Sequence, residues 1–156
     1  MAKQELQTAK EALSGFGDKV NPDFVRMPRV ARFEEAVLGL LQLYPELRTA
    51  AFQAPPLLEE KDFMTELGKR AFCFIRDAEA KDGFHTEMLD AAFTPDEVGR
   101  LLGMRIARMQ LRDNGRAVFD ACVASLKTAV EEEKQKNAPP SLGALDALLK
   151  SKRKNV

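Results

Sequence analysis

Pro28-Arg29-Val30-Ala31-Arg32-Phe33-Glu34-Glu35-Ala36-Val37-Leu38-Gly39-Leu40-Leu41-Gln42-Leu43-Tyr44-Pro45 is the stretch on which the fold assignment turns. Val30, Phe33, Val37, Leu40, Leu41 and Tyr44 recur at three- and four-residue spacing, which puts them on one face of a helix. Pro45 has no N–H to continue the ladder, so the helix ends there.

Downstream, Leu47 to Phe52 is expected to add one short turn, and Pro55-Pro56 forces an extended stretch. A second stripe of Phe63, Leu67, Ala71, Phe74, Ile75 and Ala78 predicts a helix starting near Asp62, with Asp62 as N-cap and Asp82-Gly83 as C-cap signal. Thr86 to Ala92 reads as a short helix. In Thr94-Pro95-Asp96-Glu97, Thr94 caps, Pro95 takes the first helical position and Glu97 completes a capping box. The helix so opened carries Val98, Leu101, Leu102, Ile106 and Met109 and stops at Asp113-Asn114-Gly115. Phe119, Cys122, Val123, Leu126 and Val130 mark another helix, whose polar end from Glu131 to Lys136 runs into solvent. Beyond Pro139-Pro140, Leu142, Leu145, Leu148 and Leu149 predict a short terminal helix folded back as a hairpin, followed by Lys150, Lys152, Arg153 and Lys154.

Upstream, Gln4 to Leu13 can form a helix, but Ser14-Gly15-Phe16-Gly17 and Asn21-Pro22 interrupt it. The expected organisation is a linker or leading arm over residues 1–27, a helical bundle over 28–112 and a C-terminal helical hairpin over 113–156. Sustained period-two alternation of β-branched residues is missing, so the expected class is all-α, without a repeat of solenoid length.

A chain of 156 residues can bury a core without metal or disulfide staples. No apolar run approaches the roughly 20 residues of a membrane span, and no apolar segment follows the first charges as a secretory signal would require. A cytoplasmic protein is expected, with no membrane association. Lys plus Arg equals Asp plus Glu, 24 against 24, which argues against a general nucleic-acid binder. Cys73 and Cys122 fall within apolar stripes and read as small core hydrophobes.

Residue types for bond-making chemistry are sparse. A metal site or His-based triad needs several converging ligands, but the chain has one histidine, His85, expected to be exposed or capping. The glycines build no phosphate loop followed by Lys-Ser/Thr. The adjacent pairs Glu34-Glu35 and Glu59-Glu60, and the run Glu131-Glu132-Glu133, point about 100° apart on a helix, so solvated faces are expected instead of a converging acid/base pair. No catalytic residue, cofactor or metal is expected. Gly99 and Gly103, one turn apart near Met104, permit a close backbone approach, either by a binding partner or by a neighbouring helix of the bundle. The leucine stripe of the terminal helix is a candidate docking surface, though packing on the helix of Phe119 to Val130 would also satisfy it.

Ala31 to Leu41, with its Glu-Glu pair and Leu-Gly-Leu-Leu run, and then Tyr44-Pro45-Glu46-Leu47, resemble the opening of the helicase-binding domain of bacterial DNA primase. The similarity continues through Phe72 and Ile75, Phe119 to Leu126, and Leu142 to Lys150, spanning about residues 28–152. Asn137-Ala138-Pro139-Pro140 and the short last helix depart from the longer hairpins of that family. The N-terminal domain of the replicative helicase shares a similar Glu-plus-Leu-Gly opening and is the nearest alternative.

The resemblance implies a bundle whose C-terminal hairpin docks on the N-terminal domains of the hexameric replicative helicase, coupling primer synthesis to unwinding. The zinc-binding and acidic motifs of primase catalysis are missing from this stretch, so this chain is not expected to be the catalytic part. The expected partner-binding residues are Leu142, Leu145, Leu148, Leu149, Lys150 and Lys152. An alternative of another class is a small single-stranded DNA-binding accessory protein using the basic tail with Arg105, Arg108, Arg112 and Arg116.

Overall fold

The computed structural model of the chain describes residues 18–137, and among these every regular element is helical. In chain order they are α1 (Asp23–Arg26), α2 (Pro28–Leu43), α3 (Pro45–Phe52), α4 (Glu66–Lys81), α5 (Leu89–Ala92), α6 (Pro95–Met109) and α7 (Arg116–Asn137). Single 3₁₀ turns, Glu60–Asp62 and Thr86–Met88, precede α4 and α5. The fold is all-α.

Helix α2 is the central strut, touching α3, α4, α6 and α7. That role explains a burial pattern wider than the single stripe expected of it. Val30, Ala31, Glu34, Val37, Leu38, Gly39, Leu40, Leu41 and Gln42 are all buried, and a helix enclosed on most sides needs apolar or small residues all round. Around it, Phe63 stacks on Phe72 with ring centroids 4.6 Å apart, and Phe52 meets Phe72 edge-on at 5.6 Å. Leu67, Ile75, Leu101, Phe119 and Leu126 close the same core.

Several boundaries follow from local chemistry. Pro45, which ends α2, also opens α3, a helix of two turns where one had been expected. Thr94 caps α6 with a reciprocal capping box to Glu97, and Pro95 occupies its first turn. Gly83, at φ +95°, takes the left-handed position just beyond α4.

Helix α4 begins later than Asp62. Its N-cap is Thr65, whose side chain accepts from the Gly68 N–H, while Asp62 lies in the 3₁₀ turn and accepts from the Glu59 N–H. Ile106 and Met109, counted in the core stripe of α6 from sequence, are 51 % and 56 % exposed. Cys73 and Cys122 are free thiols half-buried against the core.

Residues 18–27 of the expected leading arm are packed on the body. Met27 and Asn21 are buried, and the Asp18 carboxylate pairs with Arg100 of α6 at 2.9 Å. Beyond Asp113-Asn114-Gly115, α7 packs along α2 and shares its core through Phe119, Val123, Leu126 and Val130. The expected second helix of the hairpin, with Leu142, Leu145, Leu148, Leu149, Lys150 and Lys152, lies outside the described residues.

Candidate functional site

Two polar constructions and two grooves are candidates for function among the described residues. The first construction centres on Glu34, a carboxylate 1 % exposed on the inner face of α2. Its Oε2 accepts from the backbone N–H groups of Met64 (2.7 Å) and Thr65 (3.1 Å), and its Oε1 accepts from the Thr65 hydroxyl. Thr65 Oγ1 in turn accepts from the Gly68 N–H at 3.0 Å. Burial pushes the Glu34 carboxyl above its ordinary value, and the three donated hydrogen bonds oppose that shift. Gly68 is required here because a Cβ would run into the Glu34 carboxylate and meet Thr65 Oγ1 at 2.7 Å.

Asp23 of α1 adds a further acceptor for the start of α4, taking the Glu66 N–H at 2.9 Å, and this bond holds its carboxyl below the ordinary range. Thus Glu34 fastens α2 to the start of α4, supplying acceptors that a helix terminus needs. The expectation that Glu34 lies on a solvated face is overturned. Its phase was the available signal, since Glu34 follows Val30 by four residues and precedes Val37 by three.

A second construction joins the other end of α2. Arg48, buried within α3, donates Nη1 to the carbonyls of Leu41 (2.8 Å) and Gln42 (3.4 Å) and pairs with Glu79 of α4 at 2.6 Å. Its guanidinium lies 5.4 Å from the centroid of the Phe84 ring. A planar cation with several donors thus caps the last turn of α2 while crossing to α4. Gln42 donates to the Leu101 carbonyl at 2.8 Å, linking α2 to α6. Neither construction brings a nucleophile, a base and an orienting group together, so both read as fasteners.

The α2–α6 contact has a closed side and an open side. On the closed side, a Cβ at Gly39 would meet the Met104 carbonyl oxygen at 2.5 Å and Arg108 Cγ at 2.8 Å, so only glycine allows this approach. On the open side is a groove of about 360 Å³ with a floor of Ala36, Gly99, Gly103 and Ala107 and Leu111 at one end. A Cβ at Gly99 or Gly103 would meet nothing within 4 Å among the described residues. Of the two readings of this glycine pair, packing against a neighbouring helix therefore has no support among the described residues. Arg32 and Arg108 flank the groove, and Arg100 at its edge is held between Glu35 and Asp18, each at 2.9 Å. Burial pushes the Glu35 carboxyl up, against the pull of Arg100.

The second groove, about 480 Å³, runs between α4 and the turn before α5, lined by Phe74, Ala78, Met88 and Ala91 with Asp77, Lys81 and Asp82 at its rim. Its rim carries two carboxylates and one ammonium, and Asp77 is paired with Arg76 at 3.1 Å.

The four arginines considered for DNA contact do not form one free basic strip. Arg116 pairs with Asp120 at 2.8 Å, Arg108 donates to Asn114 Oδ1 at 3.1 Å, Arg105 is half-buried with an unpartnered Nε, and Arg112 is exposed. His85 is exposed. Among the described residues no group of three or more His, Cys, Asp or Glu side chains is placed to hold a metal, and no helix is long and apolar enough to cross a membrane. Comparison with known proteins adds no neighbour: no family model, no curated protein and no solved structure matches the chain.

Proposed function

We propose that this chain is a helicase-binding module of a bacterial DNA primase, docking the primase on the replicative helicase during DNA replication in the cytoplasm. Its activity is recognition of another protein, and Leu142, Leu145, Leu148, Leu149, Lys150 and Lys152 form the contact.

The observation that carries the reading is the coincidence between the primase-like motif and the residues that build α2. The Glu-Glu pair supplies the buried fastener Glu34 and the Arg100 partner Glu35. The glycine of Leu-Gly-Leu-Leu is Gly39, a point of close approach to α6. The Pro-Glu-Leu end is the first turn of α3. Glu34, Glu35 and Gly39 of the motif therefore each join α2 to a neighbouring helix.

The test is calorimetric titration of the full chain, and of a version lacking residues 138–156, into the purified replicative helicase. Saturable binding by the full chain, lost in the truncated chain while its unfolding midpoint is kept, is the expected result. Unchanged binding by the truncated chain would remove the leucine stripe from the interface, and no binding by the full chain would reject the reading.

A further inference from the structure

The open groove between α2 and α6 lies apart from the terminal segment in the sequence and is not used by the function proposed above. We propose that it is a second docking surface, for an acidic amphipathic helix of a partner protein.

The argument starts with charge. From Gly99 to Arg112 the chain carries Arg100, Arg105, Arg108 and Arg112 and no Asp or Glu, although the whole chain is neutral at 24 against 24. Arg100 is offset by Glu35 and Asp18, and Glu35 is the acidic residue of the groove lining. Arg32 and Arg112 carry no ion pair among the described residues, and Arg108 is bonded to a neutral amide. Among the described residues the groove therefore presents uncompensated positive charge next to an apolar floor. Cations in the last turn of α6 and just beyond it are favoured by the helix dipole, which accounts for Arg108 and Arg112. The dipole does not account for Arg32 on the neighbouring helix.

Shape and apolar exposure then select the kind of anion. Leu111, which lines the groove just beyond the end of α6, is 51 % exposed, and Ile106, within α6 but outside the groove lining, is equally so. A nucleic-acid strand gains little from such side chains, whereas the apolar stripe of a helix covers them. Gly99, Gly103 and Ala107 are spaced by four residues and extend about 12 Å along α6, the length of two helical turns. With no described side chain above the glycines, a partner backbone can approach closely, and its flanking Asp or Glu residues reach Arg32 and Arg108. The segment after Pro140 is a poor occupant, because its Lys150, Lys152, Arg153 and Lys154 bring like charge to the rim.

The experiment uses the full chain, labelled for amide NMR, and three probes. These are a synthetic helix with a leucine and alanine stripe flanked by glutamates, the same stripe flanked by lysines, and an oligo-dT strand. The glutamate-flanked helix should shift the amides of Gly99, Gly103, Ala107 and Leu111, with affinity falling about tenfold in Arg32→Glu and in Gly103→Leu. Neither variant should lower the parent unfolding midpoint, since Arg32 is exposed and no described atom lies within 4 Å of a Cβ at Gly103. Equal binding of the lysine-flanked helix, oligo-dT shifting the same amides instead, or no shift with any probe would overturn the proposal. Concentration-dependent shifts without a probe, or contacts from residues 1–17 or 138–156 filling the groove, would equally overturn it by naming another occupant.

Discussion

Gly39 and Gly103 both sit mid-helix on opposing sides of one contact, and both look like the same defect in a helical pattern. At Gly39 the hydrogen in place of a methyl is what lets the Met104 carbonyl come close, so the entropic cost of glycine is offset by packing. At Gly103 no described atom uses the missing side chain, and the same cost stands without internal compensation. A glycine that the fold uses and one that it does not use thus mark the closed and open sides of the α2–α6 contact.

The Glu34 fastener belongs with the closed side, and breaking it should have the largest effect. Glu34→Ala leaves the Met64 and Thr65 N–H groups and the Thr65 hydroxyl without their acceptor and opens a cavity, so a loss of about 3 kcal/mol is expected in urea unfolding. A loss near zero would mean that Glu34 is an incidental buried acid. Next in size is Gly39→Ala, where overpacking against a backbone carbonyl is expected to cost about 1–3 kcal/mol, read as a lower denaturation midpoint. Thr65→Ala removes the N-cap of α4 and one partner of Glu34, for which about 1–2 kcal/mol is expected by the same measurement.

Acidity sharpens the same comparison. The folded-state value of Glu34 is raised, so between its unfolded and folded values the native state holds more protons than the unfolded state. Stability from this group is accordingly larger on the acid side of that window and falls as pH rises through it. Glu34→Gln mimics the protonated form, with an amide donating to Thr65 Oγ1, and lacks the titration. The stability of the parent relative to Glu34→Gln should therefore rise as pH is lowered from neutral towards the ordinary glutamate range, measured by paired urea midpoints. A difference that is flat with pH would contradict the assignment of burial as the dominant influence.

How far these features could be read from the residues differs by range of interaction. The start of α6 was legible because Thr94, Pro95 and Glu97 settle it within one turn. The start of α4 lies at Thr65, whose side chain caps the Gly68 N–H by a local rule that competes with Asp62 in the sequence, and the partner that favours Thr65, Glu34, is thirty-one residues away. Arg48 likewise looks like a surface cation until α2 ends beside it and Glu79 arrives from α4. Exposure of Ile106 and Met109 escaped the stripe reading because spacing places residues on a face without saying whether that face is covered. The two grooves depend on which helices meet, which periodicity does not encode.

The smallest expected effect is also the one that separates the two sides. Gly103→Ala adds a methyl that meets no described atom in a helix interior and is expected to stabilise the chain by about 0.5–1 kcal/mol. Measured side by side in urea, Gly39→Ala should lower the midpoint and Gly103→Ala should raise it. Equal losses in the two variants would contradict a contact that is closed on one side and open on the other.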